Sequence, residues 1–248
     1  MRTIAILSIF ALALAACSPT QKQKASATDV PVEVVTNEAG QGQGIILSVS
    51  AGVNHNHPLI AVWVEDLEGN YVQDLFVARS IATGVFRHGA EKDGTWAPGP
   101  RRRPAALPRW GHQRGIQAAD GLFVPDESSA VADAYSGATP PKSFILRTRL
   151  NEKATRPFRV FLEINQSWDW NEHWTNTLYP DDEAYRTSSQ PALVYSAVVD
   201  PSDPGKDVLM QVVGRSHHAG ADGKLYDDLE TMTTALRIVG NAVVRIQE

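Results

Sequence analysis

"FRVFLEIN", residues 158–165, is the stretch on which the reading of this chain turns. Phe158, Val160, Leu162 and Ile164 alternate with Arg159, Phe161 and Glu163. A period of two puts the first set on one face of an extended chain and the second set on the other. The segment reads as a strand with one buried face. Its neighbours are also rich in Ile, Val, Phe and Tyr: "GIILSVSAG" (44–52), "PLIAVWVEDLEGNYVQDLFVA" (58–78), "SFILRTRL" (143–150), "ALVYSAVV" (192–199), "DVLMQVVG" (207–214) and "ALRIVGNAVVRIQ" (235–247). Within the second of these, Glu68-Gly69-Asn70 is hairpin chemistry, so Ile60 to Asp66 and Tyr71 to Val77 are predicted to pair antiparallel. Seven or eight such runs, with turns between them and no long 3.6-residue period, predict an all-β fold, an antiparallel sandwich over residues 43–248.

Residues 79–142 break the pattern. They are rich in proline and glycine and show little periodicity, so they read as a long irregular insertion, and insertions of this length are often functional. "PAALPRWGHQRGI" (104–116) and "PDESSAVADAY" (125–135) are each predicted to hold a short helix, the second starting at Glu127, Ser128 and Ser129. The basic run Arg101 to Arg103 sits among prolines and reads as a solvated loop.

The chain has 248 residues, 43% of them hydrophobic and 21% charged, which suits a globular body. A net charge of −5 argues against nucleic acid as a partner, because nucleic-acid binders carry a basic field. The N-terminus carries Arg2 and then an apolar run of 14 residues, "TIAILSIFALALAA", which is short for a bilayer span. It ends at Leu14-Ala-Ala-Cys17 and resembles a bacterial lipoprotein signal, with residues 1–16 removed and the Cys17 thiol acylated. Cys17 is the single cysteine, so no disulfide and no cysteine metal site is expected in the body. Two or more acyl chains there would anchor the protein stably. Ser18 after the cysteine, where aspartate would signal inner-membrane retention, points to the outer membrane, facing the periplasm. Residues 17–42 read as a polar tether with one short strand at "VEVV".

"AVWVEDLEGNYV", "RPAALPRWGHQRG", "DAYSGATPPKSF", "EINQSWDWNEHW" and "SQPALVYSAVVD" together resemble a bacterial family of predicted periplasmic proteins, domain-of-unknown-function family twenty-two seventy-one. The likeness spans roughly residues 45–246. It implies an immunoglobulin-like sandwich and a setting beside PepSY-type membrane proteins and flavin transferases, hence extracytoplasmic redox chemistry or metal handling. The lipoprotein signal departs from the most familiar members.

Three motifs carry candidate chemistry. Asp133, Ser136, Gly137, Ala138 and Thr139 spell D-x-x-S-G-A-T, which resembles the site at which bacterial flavin transferases attach FMN to a threonine through a phosphoester. Pro140-Pro141 departs from that pattern, and the same string serves as a loop leading into the strand at Ser143, the reading adopted here. "SWDWNEHW" (167–174) is the second motif. On an extended chain Trp168 and Trp170 share a face, and with Asn171, Glu172, His173 and Trp174 they form either a binding edge for a planar or sugar-like ligand or a plug for the end of the sandwich. The third motif is histidine. His55-x-His57 places two imidazoles on one side of an extended segment, and His217-His218 would add a further ligand if the loops meet, a set suited to copper or zinc. Exposed loops account for both pairs as well.

Enzyme signatures are sparse. "GRSHH" (214–218) has His218 where the nucleophile elbow G-x-S-x-G needs glycine, and no H-E-x-x-H or P-loop is present. The expectation is therefore a lipid-anchored periplasmic binding or accessory protein, non-catalytic, associated with an envelope redox system and a membrane redox partner. The alternatives are a flavinylated electron carrier through Thr139 and a periplasmic copper- or zinc-binding protein.

Overall fold

The computed structural model describes residues 30–247. Cys17 and the signal segment lie outside the described residues. Chain order runs β1 (Val32–Val35), β2 (Gly44–Ala51), β3 (Leu59–Glu65), β4 (Tyr71–Ala78), α1 (Arg79–Thr83), β5 (Val85–Lys92), β6 (Thr95–Pro100) and α2 (Pro108–Arg114). It continues with β7 (Ser136–Gly137), β8 (Phe144–Arg149), β9 (Phe158–Asn165), α3 (Glu183–Ser188), β10 (Leu193–Val199), β11 (Val208–Leu209), β12 (Gln211–Arg215) and β13 (Val239–Gln247).

Two sheets form an all-β sandwich. One has the order β1-β8-β2-β13-β11, the other β12-β10-β9-β3-β4-β7, and β5-β6 is a separate hairpin. Between the sheets Ile45, Leu47 and Val49 of β2 meet Ile60, Val62 and Val64 of β3 and Phe158, Val160, Leu162 and Ile164 of β9 in one core. The predicted hairpin is present: β3 and β4 pair antiparallel across the turn at residues 66–70. Pairing is antiparallel except at two edges, where β1 lies parallel to β8 and β7 parallel to β4.

Four expectations are corrected. The sheet already includes Val32–Val35, upstream of the expected start at residue 43, so the short strand expected at "VEVV" is part of the sandwich and not of a tether. β1 joins β8, Thr36 Oγ1 donates to the Leu75 carbonyl at 2.7 Å, and Asn37 Nδ2 to the Arg149 carbonyl at 2.7 Å. Residues 207–214 are two strands: buried Met210 crosses between the sheets, so β11 edges one and β12 the other. Residues 235–237 make a 3₁₀ turn before β13 begins at Val239. In "PDESSAVADAY" the first residues form a turn, because the Asp126 carboxylate accepts from the backbone N–H of Ser128 (2.9 Å) and Ser129 (3.0 Å). Only Asp133–Tyr135 is helical there, as one 3₁₀ turn.

The insertion is not structureless. It holds α1, the β5–β6 hairpin, α2 and β7, and it lies on the outer face of the second sheet. That explains the one residue of "FRVFLEIN" that fits its polar series badly. Phe161 is buried, stacked on Trp63 of the neighbouring strand with centroids 5.0 Å apart and planes 9° apart. Around this pair Ile81, Leu107, Trp110 and Val131 from the insertion close a second core. β9 is thus buried on both faces.

Candidate functional site

The insertion is fixed to the sheet by buried charge. Outward-facing positions of three adjacent strands carry Glu163 (β9), Glu65 (β3) and Asp74 (β4), all buried. α2 crosses above them. Pro108 opens this helix, where a missing N–H costs nothing, and Gly115 at φ 71° closes it. The backbone N–H groups of Arg109 and Trp110 donate to the two oxygens of Glu163 at 3.2 and 2.7 Å, and Ser216 Oγ donates to the same carboxylate. Trp110 Nε1 donates to Asp74 Oδ1 at 2.6 Å. Glu65 accepts Trp63 Nε1 at 2.8 Å and Arg109 Nη2 at 3.4 Å. Burial pushes Glu163 up to about 7, against the pull of Ser216 and the two amides. Burial also raises Asp74 despite the donors on it. Ser216, the serine of "GRSHH", is fully buried and spends its hydroxyl on Glu163.

With α2 held in place, a cleft opens between the insertion and the loop after His218. Its volume is about 360 Å³. Leu107, Trp110, Leu122 and Phe123 give it an apolar lining, Arg103, His112 and Gln117 supply polar groups, and Ala219–Ala221 form the facing wall. Close approach of the two walls depends on glycine. A Cβ on Gly220, which has φ 71°, would sit 2.1 Å from the Pro104 carbonyl oxygen, and one on Gly223 would sit 2.5 Å from His112 Cβ. His112 lies against Phe123, with centroids 4.2 Å apart and planes tilted by 35°, and its Nε2 lies 3.3 Å from the Gly220 carbonyl.

Beside the cleft, two of the sequence candidates meet. Trp174 of "SWDWNEHW" lies 6.2 Å, centroid to centroid, from His218, which stacks on Tyr179 (4.2 Å) and on His217 (4.3 Å). Arg215 lies over both Trp174 (5.3 Å) and Tyr226 (4.8 Å). Burial, and after it the neighbouring His217, hold His218 below the usual imidazole value. His217 Nδ1 accepts from the N–H groups of Ala219 (3.1 Å) and Ala221 (3.4 Å), so it shapes the cleft wall.

Trp168 and Trp170 do not share a face. Trp168 takes a left-handed φ of 68° and points outward, 70% exposed, whereas Trp170 turns inward edge-on to Tyr185 at 5.5 Å. Asn171 is structural: its oxygen accepts from the N–H groups of His173 and Trp174, and its Nδ2 reaches Gln190, Thr231 and Thr233. Glu172 and His173 lie 3.7 Å apart on the surface. Thus Trp170 and Trp174 plug the end of the sandwich and Trp168 stands free of it.

The histidine pairs do not form one ligand set. His55 presents both ring nitrogens to carbonyls, Ile238 at 3.3 Å and Pro140 at 3.2 Å. His57 has φ 52° and contacts Asn56 Oδ1 at 3.1 Å. Among the described residues no three His, Cys, Asp or Glu side chains gather in an arrangement that could hold a metal ion. Thr139 is half-buried just past β7, whose Ser136 and Gly137 pair with Val77 and Ala78.

The cleft itself escaped the sequence reading. The signals were present: an aromatic in the outward series of β9, the alternation of Trp63 and Glu65 on β3, and glycines at 220 and 223. Each acquires meaning only once the insertion is known to cover the sheet. No family model matches the chain, and neither a curated protein nor a solved structure matches it.

Proposed function

We propose that this protein is a lipid-anchored binding or accessory module of a bacterial envelope, non-catalytic, which holds a small ligand in the cleft between its insertion and the 217–223 loop. The cleft carries the reading. Its volume of about 360 Å³ lies within the range of small-molecule sites, and it combines an apolar lining with a few convergent polar groups. A binding role suits the buried titratable groups, which hold the fold: Glu163 and Asp74 are engaged by α2 and Ser216. The anchor rests on the Leu-Ala-Ala-Cys17 sequence, and among the described residues no helix is long and apolar enough to cross a membrane. The association with redox chemistry rests on the family resemblance.

The test is the mass of protein extracted in detergent from its own membranes, native and denatured. Acyl chains on Cys17 are expected, together with a small molecule released on denaturation and missing from Ala221→Trp, which fills the cleft. A soluble polypeptide with unmodified Cys17 refutes the anchor, and identical native masses, corrected for the substitution, refute the site. A covalent FMN on Thr139 would make the protein a flavin carrier instead.

A further inference from the structure

The stretch from residue 101 to 114 contains five arginines, and four of them reach a carboxylate. Arg101 pairs with Glu183 at 2.9 Å, Arg102 with Asp120 at 3.0 Å, Arg109 with Glu65 at 3.4 Å and Arg114 with Asp74 at 4.0 Å. The basic run is a loop, as expected, but it is half-buried rather than solvated. Arg103 is the exception. Among the described residues it has no acidic partner; its Nη1 donates to the Ser167 hydroxyl at 2.6 Å, and its guanidinium lies over Phe86 at 4.4 Å. Its Nε is buried without a hydrogen-bond partner, as are Arg102 Nε, Arg109 Nε and Arg114 Nη1, so what sets Arg103 apart is the missing carboxylate. A guanidinium stays charged in a protein, and a partly desolvated charge without a counter-ion is costly. Burial, then the nearby Arg101, act against its charge.

We propose that Arg103 is the counter-ion of a bound ligand, and that the cleft selects a small anion with a flat apolar body, carboxylate- or phosphate-bearing. The inference rests on the reading of the cleft as a ligand site and adds the ligand's chemical class. Arg103 is among the residues that line the same cleft as Trp110, His112 and Phe123, and its guanidinium rests on Ser167 and Phe86, so an acid group held on that guanidinium would bring an apolar body beside the rings. Guanidinium suits both acids, because its planar fork matches two oxygens at once. Ser167 connects the arrangement to the exposed Trp168, the next residue along the chain.

The experiment titrates the full chain by NMR with benzoate, phenyl phosphate and uncharged benzamide. It covers wild type, Arg103→Gln and Ala221→Trp, with probes up to about 10 mM, where ligands of this size register. One or both anions should bind at least about tenfold more tightly than benzamide, since a charge-assisted hydrogen bond separates them. Arg103→Gln should bring the anions to the level of benzamide, leave benzamide unchanged and leave the thermal midpoint no lower. Ala221→Trp should remove all three. The stronger of benzoate and phenyl phosphate assigns the acid group. Equal binding of anions and benzamide, or anion binding indifferent to Arg103→Gln, overturns the anion and leaves the cleft. Binding of none of the probes, or binding indifferent to Ala221→Trp, overturns the cleft as well.

Discussion

Replacing Glu163 by glutamine tests the layer that holds the insertion. The carboxylate is fully buried, and burial raises its pKa from 4.5 to about 7. In the unfolded chain it titrates near its ordinary value. Between those two values the folded protein binds more protons than the unfolded one, so stability falls as pH rises through this window. The penalty is absent below about 4.5 and complete above about 7. A gap of about 2.5 units at about 1.4 kcal/mol each amounts to about 3–4 kcal/mol. In a body of this size that is about 10 °C in thermal midpoint. Glu163→Gln also turns one amide N–H group toward the Trp110 N–H or the Ser216 hydroxyl, a cost that does not vary with pH. The assay is urea or thermal unfolding of both proteins from pH 4 to 8.5, read as their difference, which cancels every other titration. Wild type should lose about 3–4 kcal/mol relative to Glu163→Gln across the window. A flat difference, or wild type gaining as pH rises, would mean that the three donors outweigh burial, and the reasoning would be wrong.

Two further predictions follow from the same layer and from the cleft wall. Trp110→Phe keeps most of the ring but removes the indole N–H from Asp74, leaving a buried carboxylate short of a donor. It should cost about 1–3 kcal/mol in urea unfolding near neutral pH and less in acid, where Asp74 is protonated in both proteins. Gly220→Ala drives a Cβ to 2.1 Å from the Pro104 carbonyl at a left-handed φ. It should cost about 1–3 kcal/mol and displace the Ala219 and Ala221 amide resonances, whereas wild-type stability and spectra in this variant would disprove the close approach of the two walls.

Much of the sandwich was readable because its core is set by local alternation. Ile45, Leu47 and Val49, or Phe158, Val160, Leu162 and Ile164, announce their buried face in sequence, and Glu68-Gly69-Asn70 announces the hairpin, in whose turn Gly69 takes a φ of 89°. The second core was not readable, because its residues come from segments without a period. Trp63 and Phe161 alternate on their strands, but Leu107, Trp110 and Val131 come from short, irregular pieces. The same limit explains the break at Met210: apolar residues continue on both sides of it in the run of residues 207–214, and only the arrangement of the two sheets makes the strand change partners there.

The candidate site divides along the same line. "SWDWNEHW" and His217-His218 stand out in sequence by composition, and Trp174 of the first lies in one aromatic cluster with the two histidines. Their roles come from tertiary contacts, which bury Trp174, expose Trp168 and engage Asn171 with Gln190 and the 231–233 loop. The charge on Arg103 is evident from the residue alone. That its four neighbouring arginines find carboxylates and it does not is a property of the packed insertion, because pairing depends on which side chains are brought within a few ångströms, and residues as far apart in sequence as Arg101 and Glu183 meet only in the fold. Alternation of side chains along a strand is a local rule and survives in the sequence, whereas the partner of a charge is decided by distance in space.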